Sequence, residues 1–215
     1  MDRKKRPPTQ ATFNQAVHSG AALVVNGQTR LNGSTVTTTG AQLYNGAVTL
    51  GANTTLTTAG VADVTFVSTL NGGYDLTVNS AGATVFGAAV GGLAPLTSIT
   101  TDAAGRVAIE GGSVITTGAQ TYNERVSLGM DTTLQGVNLA LLSTVNGAYS
   151  LTLNDSGTTV LGDVVGGSTP LISLTTDALG QTHLKGASIH TSLNAVFSDI
   201  VKVFTDVQVQ AAGQL

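Results

Sequence analysis

Short stretches in which every second residue is apolar recur along the whole chain. Val126-Ser127-Leu128, Thr132-Thr133-Leu134, Tyr149-Ser150-Leu151-Thr152-Leu153 and Thr182-His183-Leu184 are typical, with Gly, Asn, Asp or Pro between them. Successive side chains of an extended backbone point to opposite sides, so this alternation gathers the aliphatics on one face and Thr or Ser on the other. The pattern predicts many short strands joined by tight turns.

The strands belong to a long internal repeat. Val36-Thr37-Thr38-Thr39-Gly40-Ala41-Gln42-Leu43-Tyr44-Asn45 returns 78 positions later as Val114-Ile115-Thr116-Thr117-Gly118-Ala119-Gln120-Thr121-Tyr122-Asn123. Between 68 and 113 the offset becomes 75, pairing Asn71-Gly72 with Asn146-Gly147, Val90-Gly91-Gly92 with Val165-Gly166-Gly167, and Thr100-Thr101-Asp102-Ala103 with Thr175-Thr176-Asp177-Ala178. The change of offset arises because 57–67 faces the shorter 135–142, a loss of three residues of the kind a surface loop tolerates. Two full copies thus occupy 35–112 and 113–187, flanked by partial copies at 10–34 and 188–215 and preceded by a basic tail at 1–9.

Two architectures fit: a parallel β-helix, in which successive coils stack on one another, or a string of small β-sandwiches with one copy per domain. The flanks favour the β-helix. A sandwich cannot fold from a third of its sequence, whereas a solenoid accommodates an incomplete copy. There is also no linker at either copy junction. The Asn-Gly pairs at 26, 32, 45, 71 and 146 are hairpin signals, but they equally serve solenoid corners, where positive φ is needed.

Composition narrows the class further. Charged residues make up 10% of the chain and aromatics 4%, with no Trp and no Cys. Disulfides and thiolate metal sites are therefore impossible. Arg3, Lys4, Lys5 and Arg6 supply four of the nine basic residues, so the rest is acidic and offers no stripe for nucleic acid. No apolar stretch follows this basic run, so a secretory leader is not expected in this sequence, and no apolar run is long enough to span a membrane.

The units Thr-Thr-Gly-Ala-Gln-Thr-Tyr-Asn (116–123), Val-Gly-Gly-Ser-Thr-Pro-Leu (165–171) and Leu-Thr-Thr-Asp-Ala-Leu-Gly (174–180) resemble the long repeats of filamentous-haemagglutinin-like adhesins of the two-partner-secretion and autotransporter type. The resemblance covers roughly residues 10–200 and marks a repeat class. It implies a right-handed parallel β-helix, exported and displayed at or released from the bacterial surface, whose partners are molecules of host or neighbouring cells. A fragment of a larger gene product fits the absence of the secretion and anchoring domains that such proteins carry.

Candidate chemistry is sparse. Many β-helices cleave polysaccharides with acids on adjacent coils and basic residues nearby. Here Asp102 and Asp177 are repeat-equivalent and read as turn-shaping residues. Asp131 and Asp155 stand where the first copy has Asn53 and Ser80, and both read as exposed turn positions. Arg106, Arg125 and Lys185 read as scattered singly. His18, His183 and His190 read as surface histidines, His183 pointing to solvent beside inward Leu184, with no metal-ligand spacing. No catalytic, cofactor or metal site is therefore assigned, and the ligand-binding residues are left open. The reading is of a non-enzymatic stalk and contact surface, with a carbohydrate-active β-helix or a Thr-rich ice-binding solenoid as alternatives. For the latter, Thr37, Thr39, Thr49, Thr55, Thr57, Thr116, Thr133 and Thr152 are placed outward.

Two further expectations concern the ends. Coils of roughly 20–25 residues at a rise of about 4.8 Å give nine or ten coils and a rod of about 45 Å, whose open strand edges favour end-to-end association. Leu193, Val196, Phe197, Ile200, Val201 and Phe204 have helical spacing. Their repeat register nevertheless places Val201-Lys202-Val203 under Val126-Ser127-Leu128, which predicts another strand-bearing coil rather than a helix.

Overall fold

A computed structural model of the chain describes residues 10–186 and 188–213; the basic segment 1–9, Ala187 and residues 214–215 lie outside the described residues. Every described element is a strand, and every strand pairing is parallel. The chain winds as a β-solenoid with three faces. Face I begins with Gln10–Phe13, face II with Val17–Ser19 and face III with Leu23–Val25, after which Gln28–Leu31 returns to face I. Face II is an unbroken sheet of ten strands. Faces I and III are also ten positions deep, once the single-residue bridges at Val90 and Val165 are counted. Tandem sandwiches are thereby excluded.

Alternation carries through to packing. On face II the inward column runs Val36, Leu56, Val78, Thr101, Tyr122, Leu141, Leu161 and Leu184, all of them buried. On face III, Tyr44, Phe66 and Phe86 stack with ring centroids 5.3 and 5.8 Å apart and nearly parallel planes. Stacking rings from successive coils fills the interior where three sheets converge and adds about 0.5–1.5 kcal/mol per pair beyond the area buried.

The repeat and the coil are out of step. Each full copy contains eleven strand positions, one short of four coils. Equivalent segments therefore fall on different faces: Thr54–Thr58 on face II corresponds to Thr132–Gly136 on face I, and Gln42–Tyr44 on face III to Gln120–Tyr122 on face II. The second copy is the first, advanced by three and two-thirds coils and turned by a third of a turn.

Interior polar contacts obey the same screw. Gln42 lies wholly buried, donating to the Val36 and Thr57 carbonyls at 3.1 and 3.0 Å and accepting from the Tyr44 hydroxyl at 3.0 Å. Gln120 donates to the Val114 and Gln135 carbonyls at 3.0 and 2.9 Å and accepts from the Tyr122 hydroxyl at 2.9 Å. Such a network satisfies backbone carbonyls that a corner strips from the ladder, the condition for burying them at all. Burial raises both tyrosine hydroxyls above their ordinary pKa.

The corners explain the turn residues. Gly72 and Gly147, the second residues of repeat-equivalent Asn-Gly pairs, have φ of +128° and +145°, conformations open to glycine alone. Gly46 answers a different need: a Cβ there would strike the Gly27 backbone of the preceding coil. The three-residue difference between copies falls at a corner, where Ala59–Asp63 gives way to Val137–Asn138 and Asn138 takes a φ of +67°.

Residues 188–213 form another coil, with strands at Ser188–Thr191, Ala195–Val196, Ile200–Val203 and Gln208–Ala211. The repeat register prevails over the helical spacing because ladder hydrogen bonds to the coil beneath reward every extended residue, while β-branched Ile200, Val201 and Val203 are poor helix formers.

Candidate functional site

Asp102 and Asp177 each reach the coil beneath. Their carboxylates accept from the amides of Ser80 at 3.1 Å and Asp155 at 3.2 Å. Asn71 and Asn146 act likewise, each capping two amides of the loop above, at Leu93 and Ala94 or at Ser168 and Thr169. Asp131 accepts from the Ser150 amide. These side chains tie coil to coil at the corners.

Asp155 departs from its expected exposure. It is 2% exposed and accepts from the amides of Asn138, Leu139 and Gly157 and from the Thr159 hydroxyl. A carboxylate has enough lone pairs for four donors, so it fills the corner that Ser80 serves in the first copy with one bond to the Ala62 carbonyl. Thr116 is also inward rather than outward, bonded to Gly118 and Gln120 past the end of its strand.

The strongest concentration of charge lies at the corner between faces II and III. Arg106 and Arg125, 19 positions apart in sequence, are direct register partners on adjacent coils. They are therefore not scattered singly. With Asp63, Gly82 and Gly105 they line an open depression of about 330 Å3. Behind them Glu124 is 2% exposed, and neither of its carboxylate oxygens has a hydrogen-bond partner among the described residues. Burial pushes its pKa up to about 8, the Asp102 charge adds to this, and Thr101 and Arg125 pull the other way. Its repeat equivalent Asp199 is shorter and is satisfied by the hydroxyls of Thr176 and Thr182, both at 2.8 Å. The first copy has Val107 where the second has Thr182, which deprives Glu124 of a donor. Glu124 is turned inward, and Asp102 is engaged by a backbone amide, so the corner does not present two carboxyl groups to one solvent-accessible point.

The histidines lie apart. His18 borders a shallow groove of about 350 Å3 lined by Thr37, Thr39 and Thr57. His190 bridges Gln210 and Ser188. His183 occupies an outward strand position, but Phe204 of the last coil covers it at 4.9 Å, leaving Nε2 buried without a hydrogen-bond partner among the described residues. Among the described residues no three His, Asp or Glu side chains converge as metal ligands would, and no helix is long and apolar enough to cross a membrane.

Outward threonines form a regular surface. On face II, Thr35, Thr55, Thr77, Thr100 and Thr121 are consecutive register partners over five coils. On face I, Ser113, Thr133, Thr152 and Thr175 form a second ladder. Strand spacing puts the rungs about 4.8 Å apart. The alternation shows each threonine to be outward. That the threonines align across coils follows only from coil lengths.

The fold and the corner define the class as a parallel β-solenoid repeat protein. Compared with family models, with curated proteins and with solved structures, the chain finds no match.

Proposed function

We propose that this chain is a non-enzymatic segment of a large bacterial surface or secreted protein of the filamentous-haemagglutinin-like kind, acting as a stalk and contact surface. The observation that carries the reading is the use to which the acids are put. Asp102, Asp131, Asp155 and Asp177 all hold backbone amides of neighbouring corners, so these four carboxylates are engaged in holding a rod together. Uninterrupted stacking over ten coils supports a role as a spacer.

The test is incubation with neutral and acidic polysaccharides and measurement of new reducing ends, together with antibody labelling of the producing cells. The expected result is no cleavage and label at the cell surface or in the medium. Cleavage lost in Asp102→Ala or Asp177→Ala, or label confined to the cytoplasm, overturns the proposal.

The same reading has the 215-residue chain associate end to end. Ile200, Val203 and Phe204 of the last coil are more than half exposed, and an open parallel edge accepts a further strand. Sedimentation that stays monomeric across a wide concentration range would count against it.

A further inference from the structure

Outward positions in the two copies have had the same opportunity to diverge, yet they have not diverged alike. In the first copy the outward column of face III reads Leu43, Thr65, Val85 and Ala108, the last of them covered. Its equivalent in the second copy, carried round to face II, reads Thr121, Ala140, Val160 and His183. One of the four residues is kept. The hydroxyl ladder behaves otherwise: Thr35, Thr55, Thr77 and Thr100 become Ser113, Thr133, Thr152 and Thr175, with a hydroxyl at every rung. Strand propensity favours threonine at both columns equally, so it does not account for the difference.

Two more residues, an exposed tyrosine and a partly exposed asparagine, are kept beside the ladder. Tyr74 precedes the rung Thr77 and Asn79 follows it; Tyr149 and Asn154 flank Thr152 in the same way. Tyr74 and Tyr149 are 40% and 37% exposed. Neither tyrosine hydroxyl nor either asparagine amide has a hydrogen bond among the described residues. Hydrogen bonding within the chain therefore gives no reason for keeping them.

We propose that each copy carries one binding site for a neutral polysaccharide, formed by Tyr74, Thr77 and Asn79 with the rungs Thr55 and Thr100, and by Tyr149, Thr152 and Asn154 with Thr133 and Thr175. The proposal rests on the reading of the chain as a non-catalytic surface segment. A half-exposed ring offers an apolar face for a sugar ring, while uncharged hydroxyls and an amide donate to and accept from its hydroxyl groups. Nucleic acid requires basic side chains, which these patches lack. An ice-binding surface requires flatness, which the tyrosines and the projecting loop at Leu93 interrupt. Because of the screw, the two sites face different directions, separated by roughly 18 Å along the axis at about 4.8 Å per coil. One stiff polymer chain cannot span both, so they bind independently and without avidity.

The experiment is native electrophoresis of the whole chain through gels containing a β-glucan, a galactomannan or a xylan, with heparin as the anionic comparison. A hexasaccharide of the retarding polymer is then titrated by calorimetry. Two equal sites are expected. Tyr74→Ala or Tyr149→Ala reduces the number of strong sites from two to one, and the double variant weakens binding about three- to tenfold. Thr77→Val with Thr152→Val, which keeps shape and strand propensity, also weakens it. The proposal is overturned by no retardation in any neutral polymer, by retardation in heparin alone, or by unchanged binding in the double tyrosine variant. Inhibition of ice recrystallisation that is lost with the valines, without polymer binding, also overturns it. Cleavage of a retarding polymer would instead overturn the stalk reading and leave the sites standing.

Discussion

The two full copies have nearly the same corners but different interiors. In 35–112 the column Tyr44, Phe66 and Phe86 is aromatic, whereas in 113–187 the equivalent column is Tyr122, Leu141 and Leu161. Most corner contacts persist: Gln42 and Gln120, Asn71 and Asn146, and Asp102 and Asp177 make the same bonds in both, the corner of Ser80 and Asp155 being the exception. Apolar side chains exchange for others of similar volume as long as the space is filled. A polar group that satisfies a buried carbonyl or amide has fewer substitutes, because its removal leaves the partner without a bond.

The largest effect that tests this contrast is in the core. Phe66→Ala, between two rings, is expected to destabilise by about 3–5 kcal/mol in urea unfolding, and Leu141→Ala by about 2–5 kcal/mol. Phe66→Leu, which gives the first copy the second copy's residue, is expected to cost only about 1–2 kcal/mol, near the stacking increment of the two ring pairs. If Phe66→Leu proves as damaging as Phe66→Ala, the copies are not interchangeable in their interiors.

Next come the corners. Gln42→Leu and Gln120→Leu each remove donors from two carbonyls and an acceptor from a tyrosine, with an expected loss of about 1–3 kcal/mol. Equality of the two losses is the sharper prediction, since the screw gives both glutamines the same hydrogen-bond partners. Asp155→Ser, the first copy's residue at that corner, should cost a similar amount because one hydroxyl cannot serve four donors.

A pH-dependent effect separates Glu124 from Asp199. Folded Glu124 holds its proton up to about pH 8, whereas its unfolded pKa is near 4.5. The folded state therefore binds more protons between those values. Its contribution is full below about pH 4.5, falls as the pH rises through the window, and levels off above pH 8. Glu124→Gln should remove that part of the pH dependence, and a midpoint profile that remains unchanged would refute it. Replacing Val107 by Thr, the residue the second copy uses beside Asp199, is expected to shift the fall to lower pH by supplying a donor to the carboxylate.

Much of this was legible in one dimension. Period-two alternation located the strands, the incomplete flanking copies selected stacking over separate domains, and the repeat register identified the last coil as strands despite its helical spacing. Asp102 and Asp177 were recognisable as corner residues, although their bonds reach the neighbouring coil rather than their own turn. Asp155, Glu124 and Thr116 were misjudged or overlooked because burial at a corner depends on what lies in the coils on either side. Arg106 and Arg125 meet only because that coil is 19 residues long.

By itself the sequence determined the strand content, the repeat and which side of each strand faces inward, since these follow from chain geometry and a period of two. Tertiary structure alone decided which face each strand occupies. That assignment depends on the sum of the corner lengths, and a change of a few residues alters which side chains become neighbours across coils. Eleven strand positions per copy on a three-sided coil turn each repeat by a third, and so place one sequence pattern on two different faces of the rod.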